Sequence, residues 1–353
     1  MTAKTRYFAI ASLLILVVGL GTGLVAYYGG GFPVGAFFNG NGPKELQYIP
    51  STASVVGGVE VREIMASDLR HRLRQQFGNN DQQDNARRQF QELTGINFET
   101  DIERIVAGFD SQAADGNNAI ALARGVFDPL KIESLMREHG ADVQDYNGTR
   151  LIVAPNFDGR NADVKDVDPN LLGQAVVASK LHKAEMGVAF LETGLVAFGG
   201  TPLVKHAIDL HKAGGSSAAT NDELVSHIRE IEGGNAWVVG RVDSLRQASQ
   251  LPPMLASQIP PISWFSVRGH VDGGIQARIT AEAKDDESAN QLRDVVRGFL
   301  ALAKLQTSSK PEFQRFVQSL QLGGAGKSVT LSVEVPAQVF DLLGTALPKL
   351  QQQ

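Results

Sequence analysis

The chain has 353 residues, 43% of them hydrophobic and 20% charged, an ordinary globular composition with room for about two or three domains. Its formal charge is −5, and setting aside Lys4 and Arg6 leaves 31 basic against 38 acidic residues, which argues against a general nucleic-acid binder with its net basic surface. There is no cysteine, so disulfides, thiolate metal sites, a cysteine nucleophile and a lipidated N-terminal cysteine are excluded together.

Tyr7 to Tyr28 contains no charged residue and is long enough to cross a bilayer, whose hydrocarbon core needs about 20 helical residues. Lys4 and Arg6 precede it and the next charges are Lys44 and Glu45, so the positive-inside bias predicts a cytoplasmic N-terminus and an exported remainder, periplasmic in a bacterium. Leu24-Val25-Ala26 could serve as a signal-peptide cleavage site, but the apolar run exceeds the usual h-region. The bilayer is thus the first expected partner, through Phe8 to Ala26. Residues 29–47, rich in Gly with Phe32, Phe37 and Phe38, read as a stalk at the membrane interface.

After the stalk, Ser54 to Val61 predicts a strand, and Met65, Leu69, Leu73 and Phe77 repeat every four residues as one helical stripe. Ala86 to Leu93 resumes as helix; Ile102 to Phe109 and Ala119 to Val126 predict strands. Asp128-Pro129 is an N-cap followed by Pro at the first helical position, with Gly140 as the stop. The same grammar returns with strand Leu195 to Phe198, Thr201-Pro202 and Gly214. Between the two, Asn147-Gly148 predicts a tight turn joining Val143–Tyr146 to Arg150–Val153, and this turn explains the Asn147-Gly148-Thr149 sequon without a sugar.

A helix from Asn221 leads to strand Ala236 to Val242. Alternation in Phe265–Val271 and Ile275–Ala281 requires 271 to pair with 275 and 267 with 279 if both apolar sets are to share a face. That register gathers Trp264, Arg268, His270, Gln276, Arg278 and Glu282 on the opposite face. Asp285 or Asp286 caps a long helix expected to turn Leu292, Val295, Val296, Phe299, Leu302 and Ala303 inward. A short helix near Phe313–Val317, a hairpin pairing Leu322 with Val329, and a last helix from Pro336 complete the chain. The expected class is α+β: a cytoplasmic tip and transmembrane helix over 1–28, a stalk over 29–47, and two related halves of antiparallel sheet with packed helices, 48–233 and 234–353.

Gly323 to Ser328 resembles the end of a phosphate-binding loop, but Gln321 replaces its first glycine and a strand follows where a helix N-terminus is needed, so no nucleotide or other cofactor is expected. The seven histidines show no metal-binding spacing. Asp158, Asp163, Asp166, Asp168 and Asn170 gather in one loop without the glycine turn and terminal glutamate of a calcium loop, so no metal is assigned. No GxSxG or penicillin-binding serine–lysine motif occurs, and no catalytic residue is assigned.

Two surfaces remain. Arg70, Arg74, Arg87 and Arg88 could meet an anionic partner, or form a solvated helical face paired with Glu63, Asp68 and Asp84. Trp264, Arg268, His270 and Arg278 make either an open docking face or one covered by a helix or by the other half.

PSTASVVGGVEV from Pro50, the Asp-Pro-headed helix and LQLGGAGKSVTLSVEVP from Leu320 resemble an uncharacterised family of bacterial envelope proteins with an N-terminal anchor. The resemblance implies an exported location and transfers no functional residue. The resulting expectation is a non-enzymatic envelope binding or scaffold protein with a protein partner. A carrier for an apolar ligand is the alternative, with an envelope hydrolase third.

Overall fold

The computed structural model describes residues 42–77, 88, 90–111, 118–154, 185–231, 233–242, 261–307 and 311–336. The strands are β1 (Val55–Val59), β2 (Ile102–Phe109), β3 (Ala119–Gly125), β4 (Asp142–Tyr146), β5 (Thr149–Ala154), β6 (Met186–Glu192), β7 (Leu195–Gly200), β8 (Ala236–Arg241), β9 (Ile262–Val271), β10 (Gly274–Ala283), β11 (Gln321–Gly323) and β12 (Ser328–Pro336). They form one antiparallel sheet in the order β11-β12-β10-β9-β8-β1-β2-β3-β7-β6-β5-β4. The helices are α1 (Val61–Met65), α2 (Asp68–Phe77), α3 (Pro129–Glu138), α4 (Thr201–Ala213), α5 (Asp222–Glu230), α6 (Asp286–Thr307) and α7 (Pro311–Ser319). A large antiparallel sheet with helices outside it is an α+β architecture.

Cross-strand partners share a face, so the register sorts the side chains into two layers. On the front face Val56, Val106, Ile120, Leu122, Leu151, Leu195, Ala197, Trp237, Val239 and Trp264 belong to one core with Leu203, Val204, Ala207 and Ile208 of α4 and Leu224 and Ile228 of α5. On the back face Val271, Ile275, Ala277, Val333 and Val335 pack with Ile64, Leu69, Leu300 and Phe316. A neighbouring cluster joins Ile262, Ala283 and Val329 to Ala289 and Leu292 of α6. Helices α4 and α5 cover the front of the sheet, α6 and α7 the back of β9–β12, and Val61 and Met65 of α1 with Ile132 of α3 the back of β1 and β2.

Several local expectations are visible in the backbone. Val271 pairs with Ile275 and Val267 with Ile279. Asp128 accepts hydrogen bonds from the Leu130 and Lys131 amides, capping α3. Asn147 and Gly148, at φ 49° and 70°, make the turn between β4 and β5.

Four expectations are corrected. The stalk ends early: Lys44–Tyr48 is a 3-10 turn whose Glu45 and Leu46, with Ile49 just beyond, are fully buried in the front core. The stripe from Met65 to Phe77 is broken, because Ser67 caps α2 with Oγ toward the Arg70 amide and leaves Met65 on a separate short helix. Leu322 pairs with Leu331 rather than Val329. Ser328 N instead donates to Ala325 O, and Gly324 sits at φ +96° where a Cβ would lie 2.2 Å from Ser328 O. Finally, Phe299 and Leu302 of α6 are 41% and 55% exposed, and Leu300 takes the inward position.

Among the described residues no helix is long and apolar enough to cross a membrane. The predicted span at 7–28, the rest of the stalk to residue 41, the acidic loop and the last helix after Pro336 lie outside the described residues.

Candidate functional site

The front face changes character at the boundary between α5 and the β9–β10 hairpin. Asn221 caps α5 by accepting from the Leu224 amide and ties its start to the Ser51 carbonyl. Leu224, Val225 and Ile228 go into the core, which leaves Glu223, His227 and Glu230 over β9 and β10. Trp264 Nε1 donates to Glu223 Oε1 at 2.8 Å, and the His227 ring lies on the indole with centroids 4.6 Å apart. Trp264 is therefore 7% exposed, so at this position the face is covered by a helix. His227 stands between two carboxylates, Nδ1 at 3.8 Å from Glu230 and Nε2 at 3.7 Å from Glu282. Beside them opens a cleft of about 310 Å³ floored by Trp264, Ser266, Thr280 and Glu282 and rimmed by Lys327.

Among the described residues, the cover by α5 stops at Trp264. Arg268 lies directly opposite Arg278, which lies opposite Ser332, so a polar row crosses β9, β10 and β12. Arg278, Gln276 and Glu334 are exposed, while Arg268 and His270 are half-buried. The Arg268 stem runs over Gly234, where an added Cβ would come within 2.5 Å of its Cγ. Burial, and then the like charge of Arg278, holds the Arg268 guanidinium below its ordinary pKa. Arg278 Nε donates to Ser332 Oγ at 3.3 Å. His270 Nδ1 is buried and finds no hydrogen-bond partner among the described residues. The four predicted residues share one face, but Trp264 serves the α5 contact, Arg268 and His270 are half-buried, and Arg278 alone of the four is exposed.

The arginine group divides differently. Arg70 is 9% exposed, donates to Met65 O at 2.9 Å and is ion-paired with Glu99; Arg74 reaches the same carboxylate at 3.0 Å. These two brace α2 against the turn at 97–101 through Glu99. Arg88 is exposed, and Arg87 lies outside the described residues.

The sequence pointed to neither His227 nor a second ionic cluster. Glu45, fully buried, accepts from Arg124 Nε at 2.5 Å and Arg104 Nη1 at 3.4 Å; Arg104 also bonds Glu60, and Arg124 bonds Glu192. Burial works to raise the Glu45 pKa, but the Arg124 hydrogen bond and the two guanidinium charges outweigh it and hold the carboxyl below its ordinary value. At Glu60 burial prevails over Arg104 and raises the pKa. These partners are 44 to 79 residues apart, beyond any local pattern. Among the described residues no group of three or more His, Asp or Glu could hold a metal ion.

No protein-family model matches the chain, and no curated protein matches it. A solved structure described as crystal form I of TP0453 is similar over 85% of this chain and 96% of its own, at 9% identity and a TM-score of 0.39.

Proposed function

We propose that the chain is a single-pass, N-terminally anchored protein of the bacterial envelope whose extracytoplasmic α+β part binds a protein partner and catalyses no reaction. The observation that carries this reading is the polar row Arg268–Arg278–Ser332, half-buried at Arg268 and Ser332 and exposed at Arg278, which lies beyond the part of the front face that α5 covers. Polar groups fixed on a rigid sheet offer orientation to a partner at little entropic cost. The cleft beside Trp264 mixes Phe265 and Ala325 with the polar His227, Glu230, Glu282 and Lys327, a lining more suited to polar groups than to an acyl chain.

The anchor and its orientation rest on the uncharged run at 7–28 and the flanking Lys4 and Arg6. The two related halves find support in the strand order. Outward from the β1–β8 pair, one arm runs β1-β2-β3-β7-β6 and on to β5-β4, the other β8-β9-β10-β12-β11, and in each the first strand is followed by a hairpin of the next two and then a helix.

Two measurements test the proposal. Alkaline phosphatase fused after residue 353 should be active in a bacterial host, and an inactive, stably expressed fusion would overturn export. Arg268→Glu with Arg278→Glu should remove a stoichiometric partner from detergent-solubilised complexes while circular dichroism stays unchanged; retention of that partner would overturn the assigned face.

A further inference from the structure

We infer that the end of the sheet at which the chain enters the fold rests on a lipid bilayer, with Val126 and Leu130 inserted at its surface. The inference rests on the proposed anchor and adds a second, peripheral contact with the membrane. Val126 and Leu130 are 68% and 77% exposed, and Pro129 beside Leu130 is exposed too, so the connection from β3 to α3 turns apolar side chains outward. Single apolar residues on a surface need no explanation by themselves. The position of these does, because Glu45, three residues after Gly42, is ion-paired with Arg124, two residues before Val126. The chain therefore enters the fold beside the apolar tip. In the sequence Phe37 and Phe38 suit the membrane interface, and the four residues from Phe38 to Gly42 reach at most about 14 Å when extended. A tether that short brings this end of the sheet to the headgroups.

The tip is held in place by its own backbone. Gly125 N donates to Gly194 O at 2.9 Å and Val126 N to Asp101 O at 2.7 Å, and a Cβ at Gly125 would lie 2.1 Å from Asp101 O. Asp128 spends its carboxylate on the Leu130 and Lys131 amides, which sets Leu130 in the first turn of α3. Side chains presented from so fixed a support give up little freedom on insertion. Lys44 and Lys131, both exposed at this end, carry ammonium groups to the level of anionic headgroups, where Lys131 also donates to Glu92 O. Two apolar side chains fall far short of the area that a stable protein interface buries. They suffice for a bilayer contact, because an inserted anchor makes that contact intramolecular and asks it to set orientation rather than affinity. The cleft beside Trp264 then stands at the far end of the strands, where Trp264 pairs with Arg241.

The chain has no cysteine, so Leu16→Cys, Val126→Cys, Leu130→Cys and Lys327→Cys each accept one polarity-sensitive fluorophore at a known place. Lys327 is exposed at the opposite end of the sheet and serves as the control. Each labelled full-length variant would be placed in nanodiscs of phosphatidylcholine and phosphatidylglycerol, with and without brominated acyl chains. The expected result is a blue-shifted emission at 126 and 130 that loses at least about half its intensity to the brominated lipid, as a side chain about 5–10 Å deep should, with no loss at 327. Quenching at 126 and 130 no stronger than at 327 would overturn the inference. A blue shift there without quenching would overturn it too, by giving the tip to a protein rather than to lipid. Leu16→Cys reports on the anchor. Quenching at 16 but not at 126 and 130 would leave the anchor and remove only the contact, whereas no quenching at any of the three would overturn the anchor as well.

Discussion

Glu45 shows how one side chain ties a terminal segment to the sheet. It stands on the 3-10 turn ahead of β1, yet it is fully buried because Arg104 of β2 and Arg124 of β3, themselves cross-strand neighbours, both need its charge. Glu45→Gln removes the buried charge that both guanidinium groups share and leaves Arg104 with Glu60 and Arg124 with Glu192, so it should lower stability by about 2 kcal/mol in urea unfolding at pH 7. The pH dependence has a definite sign. With its folded pKa held below the ordinary 4.5, Glu45 contributes stability that is present above about 4.5 and lost as pH falls through the lower folded value. The gap between wild type and Glu45→Gln should therefore narrow in acid, and a gap constant down to pH 3 would contradict the assignment. Glu60 acts in the opposite sense. Its raised folded pKa means stability is lost as pH rises from the unfolded carboxylate value through the folded one.

Gly58 illustrates a steric requirement of the same order. A Cβ there would sit 2.7 to 2.9 Å from three atoms of the buried Trp237 indole, a rigid group with no flexible end to give way. Gly58→Ala should cost about 1–3 kcal/mol through overpacking, read as a lower Tm together with a shifted tryptophan emission. An unchanged Tm would mean that Trp237 repacks freely.

At the scale of the element, α6 separates what periodicity reveals from what it conceals. A 22-residue helix with an acidic start was legible from Asp285, whose carboxylate caps the Ser288 amide at 2.7 Å. The inward set was not. The second half of α6 carries apolar residues around most of its circumference, so spacing alone could not choose between Leu300 and the pair Phe299 and Leu302. The structure separates the consequences: Leu292→Ala, inside the cluster with Ala289 and Val329, should cost about 2–4 kcal/mol. Phe299→Gln, Leu302→Gln and Leu305→Gln should each stay within about 0.5 kcal/mol of wild type by urea unfolding. A large loss in the glutamine variants would show that the exposed side is in fact covered. Hairpins were more legible than helix faces. The alternation in β9 and β10 admits one register, because a slip of one residue would turn every apolar side chain to the wrong side. Between β11 and β12 the three glycines left the turn open, and the Ser328 N–H donating to Ala325 O, with Gly324 at positive φ, closes it.

The whole molecule depends on a junction that no local pattern disclosed. β1 and β8, some 180 residues apart, pair from Val55–Gly240 to Val59–Ala236. The contact continues at both ends, through Arg241 N to Ser54 O at 2.9 Å and Glu60 N to Asn235 O at 2.8 Å. The sequence reading placed a boundary at residue 234, just ahead of β8, but the sheet runs through that point without an edge, and Trp237 of the second segment completes the core of the first. The site inherits this arrangement: α5 comes from one side of the boundary, Trp264 and the arginine row from the other, so its composition could be read from sequence only in pieces. A chain severed at the boundary would expose β1 on one fragment and β8 on the other, each a central strand with unpaired amides and carbonyls. Co-expressed segments 1–233 and 234–353 should therefore co-purify in equal amounts, whereas 234–353 alone should aggregate or self-associate. Recovery of 234–353 as a folded monomer with a sharp thermal transition would show that the second arm is autonomous, and that the β1–β8 ladder joins two finished domains rather than completing one.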